Sequence, residues 1–428
     1  MRVLTYSGAL LAGVLTSPIS LAMPCALDEV PGASLLIPYF SVSACPSDSS
    51  PPSRDTQFEL INTAAAPVLN QVTIWSNAGV PVFNFEVYLA GYSRQSISMA
   101  DLLCNGTLPS TGSGISPHGP ASDPAVSLPG CNDGTDPGNG APVFGGAGAI
   151  SLQDRQTLQA ELQGMAGTGG SCAALPNAAG NSEGYITVDS VTACTDFTPA
   201  DSDFYSILAF ENVLTGDFSL IDQANNSQAS FPAVSIEAAE PGIFSAGDVT
   251  FYGRYNGQNA SDRREPLPTT YMPRLLNGGT YDNTSLLVWR ETNASASRFA
   301  CDTTPTWFPL DLTNTSGQDN QAVIEISNSG VGTALASQPS IPLATQSLDS
   351  AGLGLRESFS SLWMNLQHSQ TVYAGSGNNR FGQAWVGSIS QSSGRFADGI
   401  GAPALDSSCT NADFDFTSPG PTVNFVTF

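Results

Sequence analysis

Along Val82–Ala90 apolar and polar positions alternate: Phe83, Phe85, Val87 and Leu89 interleave with Asn84, Glu86 and Tyr88, the two-residue period of a half-buried strand. Runs of similar character predict strands at Ser34–Phe40, Thr56–Asn62 and Gln71–Ser76, separated by turn-forming stretches at Asn62–Pro67 and Asn77–Gly79. Further strands are expected at Tyr185–Ala193, Phe204–Val213, Asp248–Tyr255, Thr284–Glu291, Ala322–Ser327 and Gln383–Ser390. One segment has a helical period instead. It runs from Leu152 to about Gln163, enters through Ser151-x-x-Asp154, a capping-box-like start, and carries Leu152, Leu158, Leu162 and Met165 as an apolar stripe read as core packing. The fold class is therefore mainly β: a β-sandwich, immunoglobulin-like or jelly-roll-like, with long Gly/Pro-rich loops and one short helix.

The chain divides by composition. Residues 1–22 hold Arg2, an apolar run from Leu10 to Leu21 broken by Pro18, and a small-x-small cleavage site at Ser20-Leu21-Ala22, the pattern of a secretory signal peptide. Residues 23–104 form an N-terminal β-sandwich part, 105–150 a Gly/Pro-rich loop of few apolar residues, and 151–428 a second β-rich region containing the helix over 152–163. Whether these parts make one domain or two stays open, and no repeat period emerges. About 400 residues remain after cleavage, ample for a packed core. No second apolar run of 18 or more residues follows, so a membrane-spanning helix is not expected in the mature chain. The C-terminal Val423–Phe428 ends in an aromatic as outer-membrane barrels do, but the alternation fails at Asn424 and Thr422, leaving a barrel a distant reading.

Charge narrows the chemistry. The 13 basic residues are all Arg, against 37 Asp and Glu, for a formal net charge of -24. Such a surface repels phosphate backbones and anionic lipid, so nucleic acid is excluded as a partner. The absence of Lys removes Schiff-base catalysis and Lys-Asn isopeptide crosslinks. Only two histidines occur, His118 in a Pro/Gly loop and His368 after Leu362–Leu366, and neither has a metal partner at ligand spacing.

All eight cysteines, Cys25, Cys45, Cys104, Cys131, Cys172, Cys194, Cys301 and Cys409, lie beyond the cleavage site and are read as disulfides in an oxidising compartment. Eight cysteines allow 105 connectivities. Pairing neighbours in sequence would give Cys25–Cys45, Cys104–Cys131, Cys172–Cys194 and Cys301–Cys409.

Candidate chemistry is sparse. Gly180-Asn181-Ser182-Glu183-Gly184 matches G-x-S-x-G, yet a nucleophile elbow needs a strand before the serine and a helix after it, and here a loop precedes and a strand follows. Asn132–Gly140 alternates oxygen donors in a Gly-rich loop, which makes Asp133, Asp136 and Asn139 the candidate ligands of a calcium ion, the one cofactor the sequence leaves open. A second acidic cluster, Asn411, Asp413 and Asp415, lies beside Cys409. Asp262-Arg263-Arg264-Glu265 gathers four charges in a charge-poor chain; such alternating signs satisfy one another or pin a loop to a sheet, with docking of an anionic group as the alternative. Five Trp and 11 Tyr offer rings for stacking on sugars, although a β protein of this size keeps most of them in its core. No catalytic or cofactor-binding residue is assigned.

Several segments resemble those of a family of secreted bacterial proteins: Gly32–Phe40, Val72–Trp75 through Val87–Tyr92, Asp262–Pro268, Leu287–Arg290 and Gly394–Cys409. The resemblance spans most of the mature chain and implies bacterial export and an all-β body. It carries no activity and no site residues. Taken together, the sequence points to a secreted, disulfide-bonded structural, adhesive or envelope-associated surface protein, whose partners would be copies of itself, a cell surface or a glycan. The alternatives are an extracellular carboxylate-dependent hydrolase of polysaccharide and a non-catalytic glycan-binding protein.

Overall fold

The computed structural model describes residues 30–109 except 48 and 49, most of 150–271, and shorter segments from there to residue 402. Its first strands are β1 (Ser34–Val42), β2 (Arg54–Asn62), β3 (Val68–Ser76), β4 (Pro81–Leu89) and β5 (Arg94–Ser98). Helix α1 (Leu152–Leu162) follows, then β6 (Ser171–Cys172), β7 (Ser182–Val191), β8 (Leu214–Asp222), β9 (Ser227–Pro232) and β10 (Val234–Ile236). The remaining strands are β11 (Thr270–Tyr271), β12 (Arg274–Leu276), β13 (Asn283–Arg290), β14 (Phe299–Ala300), β15 (Leu310–Asn314), β16 (Gln321–Ile324), β17 (Gly332–Thr333), β18 (Phe359–Asn365), β19 (Ala384–Ser392) and β20 (Phe396–Gly401).

Two antiparallel sheets make the sandwich, one ordered β10-β1-β7-β3-β4 and the other β5-β2-β8-β9. Strand β7 lies between β1 and β3, and β8 pairs with β2, so the sequence before residue 105 and the sequence after 181 share both sheets. The apolar rows Leu35–Val188–Val72–Phe85 and Ile37–Ile186–Ile74–Phe83 run across the first sheet and belong to one buried core with Phe58, Leu60 and Phe218 of the second. The sheets approach closely where Leu35 meets Gly216: a Cβ there would stand 3.3 Å from Leu35 Cδ1 and 2.2 Å from the Glu59 carbonyl. Pro38, which has no N–H to give the ladder, coincides with the register shift between Ile37 and Phe40.

A third sheet, β17-β13-β19-β20, supplies Trp289 and Trp385, directly opposed on β13 and β19. Trp289 meets Tyr185 edge-on at 5.8 Å and stacks on Phe251, while Trp385 meets Phe218 and Phe231. A fourth sheet runs β11-β18-β15-β16 with β12 on β18, and β6 pairs with β14.

Several expectations change. Strand β4 is not half-buried: Asn84, Glu86 and Tyr88 are as enclosed as the apolar positions, because chain from beyond residue 194 covers that face. Phe204–Val213 is not a strand. Residues Ser202–Ser206 form a 3-10 turn begun by Asp201, whose carboxylate accepts Thr198 N–H and whose carbonyl accepts Phe204 N–H, and only Leu208 bridges to Val191. Within the expected strand 248–255, residues 251–253 are a turn closed by Gly253 N–H on the Thr250 carbonyl. Helix α1 starts as expected, with Ser151 Oγ accepting Asp154 N–H, but its stripe is shorter: Leu158 and Leu162 are buried, whereas Leu152 and Met165 are 62% and 51% exposed.

Neighbouring cysteines do not pair. Cys45 joins Cys104, because Cys45 leaves β1 beside the start of β2 and Cys104 lies in the short π-helix Asp101–Asn105 following β5, which pairs with β2. Cys172 joins Cys301, since Phe299 of β14 stands opposite Cys172 of β6 and the ion pair Arg298–Glu161, 2.8 Å, holds the same segment to α1. These two bonds exclude all four sequential pairs. Cys194 is also disulfide-bonded.

Candidate functional site

Directly opposed residues of an antiparallel ladder share a face. On the first sheet the opposed set Ser34, Asp189, Gln71 and Glu86 forms one row across β1, β7, β3 and β4, and Thr187, Thr73 and Asn84 form the next. All seven are buried. Polar groups in that position need partners, and most have them. Gln71 Nε2 donates to the carbonyls of Thr195, 3.1 Å, and Phe197, 2.7 Å, while Glu86 Oε1 accepts Thr195 N–H at 2.9 Å. The segment after Cys194 is thereby stapled over the sheet. Trp75 Nε1 donates to Thr187 Oγ1, 2.9 Å, and its ring is stacked between Tyr185 and Tyr255, each at 5.5 Å.

The charged centre lies at the β1 end of the first row. Arg264 and Asp262 arrive from the strap 261–268, Asp189 from β7, Ser34 from β1 and Tyr252 from the turn at 251–253. Arg264 Nε contacts Asp189 Oδ1 at 3.1 Å and also Ser34 Oγ, and Arg264 Nη2 donates to the Ala209 carbonyl. Asp189 accepts from Ser34 Oγ at 2.5 Å and from Tyr252 Oη at 2.7 Å. Asp262 accepts Arg264 N–H of its own strap and Tyr252 N–H of the 251–253 turn at 3.1 Å each, with its Oδ1 4.0 Å from Arg264 Nη1. Beside them Arg263 lies over the Phe210 ring, 4.1 Å from its centroid, and donates to the Ala239 carbonyl.

These groups are sealed from solvent, with Ser34, Asp189, Asp262 and Arg264 all at 0% exposure. Burial pushes both carboxyls above their ordinary 3.8, against the pull of the Arg264 charge on each. Burial, then the Asp189 charge, raises the Tyr252 phenol well above 10. Two carboxyls share one guanidinium, and no surface reaches them. The arrangement is therefore a clamp joining β1, β7, the 209 segment and the strap, not a centre of turnover.

The other sequence candidates fall elsewhere. Ser182 opens β7 and is buried, with a strand after it, so the nucleophile-elbow geometry is absent. Asp133, Asp136, Asn139, Asn411, Asp413, Asp415, His118 and His368 lie outside the described residues. Among the described residues no group of three or more His, Cys, Asp or Glu could hold a metal ion, and no helix is long and apolar enough to cross a membrane. Of the charge run, Arg264 pins the strap to β7 through Asp189, while its Nη1 stands 4.0 Å from Asp262 and has no hydrogen-bond partner among the described residues. Sequence reasoning missed Ser34, Asp189 and Tyr252. The available signal was Asp189 itself, a lone charge within the β-branched run Ile186–Val191 of a strand buried on both faces. Compared with protein-family models, with curated proteins and with solved structures, the chain matches none.

Proposed function

We propose that this chain is an exported structural or adhesive component of a bacterial cell envelope, acting through its surface rather than by turnover. The observation that carries the reading is how the body is fastened. Disulfides Cys45–Cys104 and Cys172–Cys301 close separations of 59 and 129 residues. Loop-closure entropy would make them worth about 4 and about 5 kcal/mol. Such bonds persist outside the reducing cytosol. Within, the few Arg of a charge-poor chain include Arg264, buried in a sealed clamp. Calcium, on Asp133, Asp136 and Asn139, is the candidate ion for assembly.

The test is cell fractionation of the native protein, followed by light scattering and negative-stain microscopy of residues 23–428 with calcium and with chelator. An envelope or medium location with filaments, sheets or a calcium-dependent oligomer is the expected result. A cytosolic location, or a monomer indifferent to calcium, would sink the assembling envelope component. Hydrolysis of a polysaccharide abolished by one Asp or Glu substitution would replace it with the enzymatic alternative.

A further inference from the structure

Among the described residues the large exposed hydrophobic side chains are Tyr92, Leu152, Met165 and Ile243, and Tyr92, at 75%, is the aromatic among them. Trp75, Trp289 and Trp385 are all buried. Tyr92 also has φ +54°, a left-handed conformation that glycine and asparagine adopt readily and a tyrosine rarely does. A backbone outlier of this kind survives only where its surroundings over-determine it.

The surroundings do so. Tyr92 sits in the turn between β4 and β5, packed against the turn between β2 and β3. Its N–H donates to the Ala64 carbonyl at 2.9 Å, and a Cβ on neighbouring Gly91 would lie 2.0 Å from the Ala65 carbonyl oxygen, so the two turns touch backbone to backbone. Fully buried Asn62 ties both: its amide donates to the Ala66 and Ala90 carbonyls and accepts Ala64 N–H, while its own N–H donates to the Ser93 carbonyl. The ring is thus presented to solvent on a fixed mount, with little mobility to lose on contact.

We propose that Tyr92 is the stacking residue of a glycan-contact site whose ligand is a neutral or amino-sugar oligosaccharide. This rests on the surface-adhesive reading above and names its partner. An exposed phenol ring offers an apolar face to the C–H face of a pyranose and a hydroxyl at its rim. Sugar hydroxyls need donors and acceptors close by. Two residues along, Arg94 has a side chain 75% exposed and lies 3.5 Å from Glu59, which also accepts from Ser96 Oγ. The formal net charge of -24 disfavours a polyanion. A protein partner would want large apolar groups ringing the anchor, whereas the adjoining turn exposes only the small side chains of Ala65, Ala66 and Pro67 and the residues that follow Tyr92 are Ser93, Arg94, Gln95 and Ser96.

The experiment is calorimetric titration of the full mature chain with cellohexaose and with chitohexaose, using heparin as a polyanion control. Saturable binding of at least one neutral or amino-sugar hexamer is expected, weakened about tenfold or more by Tyr92→Ala and kept within about threefold by Tyr92→Phe. Tyr92→Asn should weaken binding as much as alanine while raising the thermal midpoint by about 2 °C, because asparagine tolerates the left-handed backbone. That gain guards against mistaking misfolding for lost contact. Wild-type protein that binds neither hexamer, binds only heparin, or is unaffected by Tyr92→Ala overturns the site. The envelope reading then stands or falls on fractionation alone, and a cytosolic protein that still bound through Tyr92 would sink that reading and leave the site.

Discussion

The two faces of the first sheet are buried to the same degree and held by different physics. One carries Leu35, Ile37, Val72, Ile74, Phe85, Ile186 and Val188 onto the second sheet. Its stabilisation scales with area removed from water and asks only for volume and shape. The other carries Ser34, Asp189, Gln71, Glu86, Thr73 and Thr187 under the 195–197 segment and the strap. There each group was taken from water at a cost, and the gain depends on a named partner at bonding distance. The apolar face tolerates substitution within its volume; the polar face specifies which loops cover the sheet, and in what register.

Removing one partner of the clamp should therefore be the most damaging change. Arg264→Ala leaves Asp189 and Asp262 buried without their shared cation, an expected loss of about 3–5 kcal/mol in urea unfolding. Arg264→Met combined with Asp189→Leu should recover only part of this, because Ser34 and Tyr252 hydroxyls would still lack the carboxylate they donate to. A double variant no better than Arg264→Ala would mean that lost packing, not stranded charge, dominates.

Acid should act on the same centre with a smaller effect, since every side chain stays in place. Asp189 and Asp262 have folded-state values raised above 3.8. A carboxyl raised on folding stabilises the protein fully below its unfolded value, and that contribution is lost as pH rises through the folded value. Unfolding free energy should thus grow as pH falls from neutrality toward 4, opposite to acid denaturation of salt-bridged carboxylates. Asp55, likewise buried and raised by burial, adds in the same sense. Chemical denaturation across that window, with Asp262→Asn and Asp55→Asn as flatteners of the slope, tests it. A wild-type profile that falls toward acid would show that the Arg264 charge outweighs desolvation.

Legibility in the sequence follows the same division. The apolar face repeats every second residue, so β1, β2, β3 and β4 could be read from pattern, and Ser151 marked the start of α1. The polar face has the composition of solvent-facing positions: nothing in Asn84 or Glu86 says that residues 109 or 113 positions away will cover them. Phe204 and Tyr205 look like strand residues and are turn residues packed inward. Strands β8 and β9 carry Gly216, Asp217 and Ser230, too polar for the pattern, and exist because β2 needs a partner on its other edge. The clamp was half visible, since the 262–265 charge run announced a loop pinned to a sheet, but its anchor Asp189 stands 75 residues from Arg264.

On the apolar face, deleting one methyl by Ile186→Val should cost about 1 kcal/mol, the ordinary loss of a buried methylene with partial relaxation. The last pair gives the finest distinction. Thr73 and Thr187 are opposed on β3 and β7, equally buried, and differ in their hydroxyls. Thr187 Oγ1 accepts the Trp75 indole N–H at 2.9 Å, whereas Thr73 Oγ1 has no hydrogen-bond partner among the described residues. Valine keeps the branched shape and removes only the oxygen. Thr187→Val should lose about 1 kcal/mol by stranding a buried donor, and Thr73→Val should gain up to about 1 kcal/mol by removing an unsatisfied one. Opposite signs at two adjacent, isosteric positions would show that stability on this face is set by pairing and not by polarity. If both substitutions destabilised, Thr73 would have to hold a hydrogen bond through a bound water, and if both stabilised, the Trp75 bond would contribute nothing to holding the face closed.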